Sequence, residues 1–256
     1  MISRSSIKKA VDKVAGFTLL RSSTLPMGVD FKTDVKRFHL EKGSIVFDIG
    51  ANVGQSAKEY ASLFPKARIY SFEPVHATFQ TLKNNTESLD RVYPVNLGFG
   101  EKEEEVEIVL NEDPTSVTNS LNVGLRNRSA HAPRENIMIR TVDRYCEDNR
   151  IDSIDFMKID TEGWEMQTLK GAKTMIEQNR INALFCEVGF SQRNKRHTHL
   201  LEVLSFLSSH GYSLLGISDT NYKRVLKKTH YGDRLIHYGN ALFISEKYVD
   251  SLGQMP

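Results

Sequence analysis

Cysteine is scarce in this 256-residue chain, which has only Cys146 and Cys186. Two thiols cannot supply a disulfide scaffold, and without a CxxC pair they offer no zinc motif, so they read as reduced thiols of a cytoplasmic protein. An excess of either charge is also missing. Lys and Arg number 34 against 32 Asp and Glu, a formal charge of +2, so a strongly basic nucleic-acid-binding domain is excluded as the default and no nucleic-acid partner is expected. No apolar run approaches the ~18 residues of a membrane-spanning helix. Repeats and low-complexity tracts are lacking too.

What is present is ordinary globular composition. With 39% hydrophobic and 26% charged residues the chain is apolar enough to bury a core and too apolar for disorder. Its length suits one sizeable α/β domain, at roughly 100–200 residues per domain, or two small ones.

The N-terminus superficially resembles a secretory leader, with Arg4, Lys8 and Lys9 ahead of an apolar stretch over 11–20. Asp12 and Lys13 interrupt that stretch, and no small-x-small cleavage site follows. Ile7, Ala10, Val11 and Val14 share a face at helical spacing, with Phe17 nearby. That spacing predicts a helix packed on the domain or on a neighbouring subunit. Peripheral contact with a membrane surface is its less favoured use. Pro26 and Gly28 then signal a turn, dividing an N-terminal extension, 1–28, from a main domain, 29–256.

From Ser44 short apolar runs alternate with amphipathic stretches. The patterns predict strands over 45–49, 67–72, 91–97, 154–160, 183–188, 212–217 and 240–244. Helices are predicted over 33–40, 56–63, 76–84, 141–149, 162–179 and 198–210. Such alternation makes a mostly parallel sheet covered on both faces, which binds ligands at the carboxyl ends of its strands. Two half-exposed strand patterns, 105–110 and 136–141, interrupt the order. They predict an antiparallel hairpin inserted beside the main sheet, around a long polar loop, 111–135, of the functional or disordered kind.

The most informative motif is Asp48-Ile49-Gly50-Ala51-Asn52-Val53-Gly54, closing the first strand and opening a helix. Gly50 permits a tight turn that another molecule can approach, and Gly54 lets the helix start close to the strand. A dinucleotide fingerprint needs GxGxxG, whereas Asn52 here occupies the second glycine position and would crowd a pyrophosphate. Asp48 would repel that group as well. Glu73, ending the second strand 25 residues later, can accept hydrogen bonds from both hydroxyls of a ribose. A nucleoside without a pyrophosphate, bearing a cationic centre, points to S-adenosylmethionine.

These motifs, with Phe72-Glu73-Pro74, Asn96, the run Lys158-Ile159-Asp160-Thr161-Glu162-Gly163-Trp164-Glu165, Leu169-Lys170-Gly171 and Cys186-Glu187-Val188, resemble the FkbM family of S-adenosylmethionine-dependent methyltransferases. The resemblance covers roughly 29–245. It implies a Rossmann-like class I methyltransferase fold with a mostly parallel seven-stranded sheet, extended by the inserted antiparallel hairpin. It also implies O-methylation of a hydroxyl on a sugar, glycan or related metabolite. Cofactor contacts are expected at Asp48, Gly50, Ala51, Asn52 and Gly54, with Glu73 and Pro74 at the ribose, Asn96 and Leu97 near the adenine, and Asp160 beside the methyl group.

A sugar hydroxyl is a weak nucleophile until its proton leaves, so a base or a metal would help. Asp160, Glu162 and Glu187, at the carboxyl ends of the fourth and fifth strands, are the unranked candidates for the base. Blander readings compete with each: Glu162 and Glu165 as acids in a helix's first turn, Asp160 as its N-cap, Glu187 as the partner of a Lys or Arg. Three acids on one rim could also hold a divalent metal such as Mg²⁺, but their spacing matches no fixed metal motif. His197 and His199, in a stretch with Arg193, Lys195 and Arg196, read as surface residues, as does the run Lys223, Arg224, Lys227, Lys228. Trp164 reads as a packing residue. The acids Asp48, Glu73, Asp160, Glu162 and Glu187 are thus expected on one rim, with the basic runs elsewhere. A non-catalytic cofactor- or glycan-binding module is the competing class. A nucleobase amine methyltransferase would need Asn/Asp-Pro-Pro-aromatic where Asp160-Thr161-Glu162-Gly163 stands.

Overall fold

The computed structural model describes residues 25–110, 133–191, 194–224 and 234–253. The expected N-terminal helix therefore lies outside the described residues, as do most of the 111–135 loop and Arg193, Lys227 and Lys228.

The first strand, β1 (Ile45–Ile49), is buried along its whole length. It pairs in parallel with β2 (Arg68–Phe72) on one side and β7 (Ile154–Ile159) on the other. The sheet continues outward through β3 (Val92–Val95) beyond β2 and through β8 (Ile181–Gly189) beyond β7, all parallel. Two antiparallel strands, β9 (Tyr212–Arg224) and β10 (Arg234–Ser245), complete the order β3-β2-β1-β7-β8-β10-β9. This is the mostly parallel, seven-stranded arrangement of a class I methyltransferase.

Successive side chains of a strand point to opposite faces, and the core divides accordingly. Ile45, Phe47 and Ile49 face one cluster, which includes Val142 and Tyr145 of α4 (Val142–Asp148), Leu169 of α5 (Glu165–Gly171) and Val203 of α7 (Leu200–Ser208). Val46 faces the other, with Phe31 of α1 (Phe31–Arg37), Tyr60 of α2 (Gln55–Leu63) and Leu82 of α3 (His76–Thr86). Val46 of β1 and Phe156 of β7 share the second face, and two residues on in each strand Asp48 stands level with Lys158.

Three expectations need correction. The inserted strands, β5 (Glu104–Val109) and β6 (Arg134–Arg140), do pair antiparallel, yet they do not extend the main sheet. With β4 (Gly98–Phe99) they form a separate three-stranded sheet over its own small core of Val75, Ile108 and Ile137. The expected single helix over 162–179 is two: α5 stops at Gly171, and α6 (Lys173–Glu177) follows Ala172. A Cβ on Gly171 would stand 2.0 Å from the carbonyl oxygen of Gly100, so the chain there is pressed against the second sheet. Finally, β9 and β10 run well past the predicted 212–217 and 240–244. Their polar ends, outside the predicted bounds, pair with each other. Among the described residues no helix is long and apolar enough to cross a membrane.

Candidate active site

The carboxyl ends of β1, β2 and β7 open onto a cavity of about 730 Å³. Its floor is the turn after β1. Gly50 sits at φ 78°, and a Cβ there would meet the carbonyl oxygen of Asp160 at 1.8 Å. The close approach that this glycine permits is thus between strand ends, β1 against β7, rather than toward an outside molecule. The N–H groups of Gly50 and Ala51 both donate to the carbonyl of Phe72, tying the turn to β2. Asn52 is left-handed at φ 49°, and Gly54, at φ 96°, caps α2.

Glu73, just past β2, is buried. Its carboxylate accepts the N–H of Asn52 at 3.2 Å and that of Val75 at 3.0 Å. Burial pushes its pKa up to about 7, against the opposing pull of those two N–H groups and of Lys158. Each carboxylate oxygen keeps a lone pair for a further donor. Asn96 donates from Nδ2 to the carbonyls of Glu73 (2.9 Å) and Pro74 (2.8 Å), and so fixes the rim rather than lining it. Leu97 and Pro74 do line the cavity.

Below the floor, Asp48 is fully buried, and the hydroxyl of Ser56 shares its one proton between the two carboxylate oxygens, at 2.9 and 2.8 Å. The Nζ of Lys158 lies 3.5 Å from Asp48, 3.1 Å from Asp160 and 3.3 Å from the carbonyl of Gly50. A buried ammonium is costly unless paired, and this one has three oxygens. Burial favours its neutral form, but Asp160 and Asp48 outweigh that and raise its pKa. Burial likewise opposes ionisation of Asp160, yet Lys158 holds that carboxyl below the usual range. Asp160 is partly exposed and faces the cavity.

The segment after β7 is organised by Glu165. One of its oxygens accepts the N–H groups of Thr161 (3.1 Å) and Gly163 (2.9 Å) and the hydroxyl of Thr161 (3.1 Å). The other accepts the N–H (3.1 Å) and hydroxyl (2.7 Å) of Thr198, ahead of α7. Glu162 is not in a helical first turn. It stands in this loop at φ 54°, on the cavity wall, and pairs through both oxygens with Arg196. Glu187, on β8, lies outside the cavity lining with its Oε2 3.0 Å from Nε2 of His197. The expected separation of charges therefore fails: Arg196 and His197, read as surface residues, are folded in among the rim acids. His199 caps α7, its Nδ1 accepting from Leu201.

Cavity-facing positions thus include Gly50, Ala51, Asn52, Glu73, Pro74, Leu97, Asp160 and Glu162 of those expected. Asp48, Gly54, Asn96 and Glu187 stand behind them. Lys158 is the chief residue that sequence reasoning left without a role. Its signal was visible: a lysine inside the otherwise apolar end of β7 must have partners. The carboxylates of Glu73 and Asp160, facing one cavity, suit a ligand with ribose hydroxyls and a positive centre, and so fit S-adenosylmethionine.

Comparison with known proteins agrees with this chemistry. The model of the FkbM methyltransferase domain matches residues 48–214. A 2-O-methyltransferase, NoeI, of Sinorhizobium fredii is 22% identical over 175 residues, 64% of this chain and 71% of that protein. A hexuronic acid methyltransferase, AglP, of Haloferax volcanii is 24% identical over 173 residues, 66% of each chain. Among solved structures, a precorrin-6y C5,15-methyltransferase of Geobacter metallireducens superposes with a TM-score of 0.44 at 13% identity, covering 85% of this chain and 91% of that one. With the family model spanning the glycine turn, the Asp160 loop and β8, the chain belongs to the FkbM family of S-adenosylmethionine-dependent methyltransferases.

Proposed function

We propose that this protein methylates a hydroxyl of a saccharide or a related metabolite, with Asp160 as the group that takes the hydroxyl's proton. The observation that carries the reading is the placing of Asp160. It ends β7 at the cavity, opposite the glycine turn and beside Lys158, which keeps it ionised. The two curated relatives, a 2-O-methyltransferase and a hexuronic acid methyltransferase, support an oxygen acceptor on a sugar.

In this reading Glu73 and the backbone of Gly50–Asn52 hold the nucleoside end of the cofactor, with Leu97 against its base. The cofactor, when bound, supplies an electrophilic methyl group on sulfur. Asp160 accepts the hydrogen bond of the acceptor hydroxyl, aligns its oxygen, and receives the proton as that oxygen becomes an ether. Orientation alone is worth much of the barrier, since effective molarities reach ~10⁵–10⁸ M. Lys158 returns a fixed charge to Asp160, and Asp48 anchors Lys158 from below. Asp48, Gly54 and Asn96 act on the cofactor through these neighbours rather than by touching it.

Calorimetry with S-adenosylhomocysteine, followed by a screen of nucleotide-sugars, oligosaccharides and lipid-linked glycans for labelled methyl uptake, tests the reading. Binding and uptake on a hydroxyl are expected. A chain that binds the cofactor product yet methylates no member of such a panel would favour the non-catalytic alternative.

A further inference from the structure

Glu162, Glu187 and His197 come from three separate elements: the loop after β7, the strand β8 and the turn before α7. One ligand atom of each lies within 4.8 Å of the other two. Nε2 of His197 is 3.0 Å from Oε2 of Glu187 and 3.9 Å from Oε2 of Glu162.

Oε2 of Glu187 is shut off from solvent and has no hydrogen-bond partner among the described residues, although Nε2 is so near. The two atoms are close enough for one ion to touch both. Asp160 and Glu162 bring like charge to Glu187, while His197, Lys158 and Arg196 oppose it.

The imidazole is built to present Nε2. Its side chain is only 4% exposed, its ring stacks on Tyr238 with centroids 4.5 Å apart, and its Nδ1 lies against the amide of Asn194. A ligating histidine held at its other nitrogen by a polar neighbour is the usual supporting arrangement of a metal site. Glu162 is held in place by Arg196, which grips both of its oxygens.

We propose that Glu162, Glu187 and His197 form a binding site for one divalent cation at the wall of the cavity. One imidazole and two carboxylates, with no thiolate, suit a first-row divalent ion such as Mn²⁺, or Mg²⁺ more weakly, and disfavour soft ions. Three protein ligands leave positions open for water or an acceptor oxygen, and Glu162 carries the ion to the cavity itself. An ion there would polarise a bound hydroxyl.

The test is binding of Mn²⁺ to the full chain after chelator treatment, read by calorimetry and by the electron paramagnetic resonance of the ion. One ion per chain is expected. Glu187→Gln and His197→Ala should weaken binding about 100-fold or abolish it, and Asn194→Ala should weaken it about 10-fold. S-adenosylhomocysteine affinity reports that each variant is folded. Absence of binding at millimolar Mn²⁺, Mg²⁺ and Zn²⁺ overturns the proposal, and so does Mn²⁺ affinity unchanged in the folded Glu187→Gln protein. Because the readout is the ion, the site stands or falls apart from methyl transfer.

Discussion

Lys158 stands directly across the β1–β7 ladder from Asp48 and extends its ammonium to Asp160, 3.1 Å away. One buried cation thus links an acid below the cavity floor to the acid that faces it. The pairing follows from strand register: residues opposite in a parallel ladder point to the same face. Lys158→Met should therefore strand Asp48 in the core and cost about 3–5 kcal/mol. In the double variant Asp48→Asn, Lys158→Met most of that loss should return. Urea titrations of the four proteins of this cycle measure it, and additive single losses would contradict the coupling.

Glu73 carries a pH signature. Its pKa in the folded chain is raised from 4.5 to about 7, so the folded form binds more protons than the unfolded one between those values. The sign follows: the contribution of Glu73 to stability falls as pH rises from 4.5 to about 7. Binding of ribose hydroxyls by the carboxylate should run the other way, with S-adenosylhomocysteine affinity rising several-fold between pH 6 and 8. Glu73→Gln should flatten both dependences. Calorimetry at the two pH values, beside thermal melts, checks this.

Glu165 serves as a clamp between the Asp160 loop and the start of α7, which it joins by five hydrogen bonds. Glu165→Ala should leave several part-buried donors unmet, at about 1 kcal/mol for each. Methyl transfer should fall more than cofactor affinity, since the loop carries Glu162 while the nucleoside contacts lie on β1 and β2. Thermal melts and a kcat-against-KM comparison separate the two effects.

The glycine turn distinguishes two substitutions. Gly50→Ala places a Cβ against backbone, at 1.8 Å from the carbonyl of Asp160, and should prevent a native melt. Gly54→Ala meets only side-chain methyls, of Leu82 at 3.0 Å and Thr86 at 3.2 Å, and should cost the strain of φ 96°, on the order of 1–3 kcal/mol, plus a small repacking of those two. Circular-dichroism melts of both proteins give the order.

These relationships show what a sequence makes legible. The β1 strand and its turn could be read because their signals are local: four apolar residues, an acid and two glycines within ten positions. The acids Glu73 and Asp160 could be placed because strand ends face one rim. The Arg196–Glu162 and Glu165–Thr198 contacts span more than thirty residues, and nothing local in a basic stretch shows that its arginine and histidine turn inward. The polar ends of β9 and β10 fall outside the predicted strands for a similar reason: their strand character comes from pairing with each other, not from apolar content.

The central claim is methyl transfer to a hydroxyl at Asp160. Its most direct test is labelled methyl uptake from S-adenosylmethionine by a responsive saccharide acceptor, comparing the native chain with Asp160→Asn. An oxygen-linked methyl product is expected, with kcat about 10²–10⁴-fold lower in the variant while S-adenosylhomocysteine still binds. Undiminished turnover in the variant, or a product methylated on nitrogen, would contradict it.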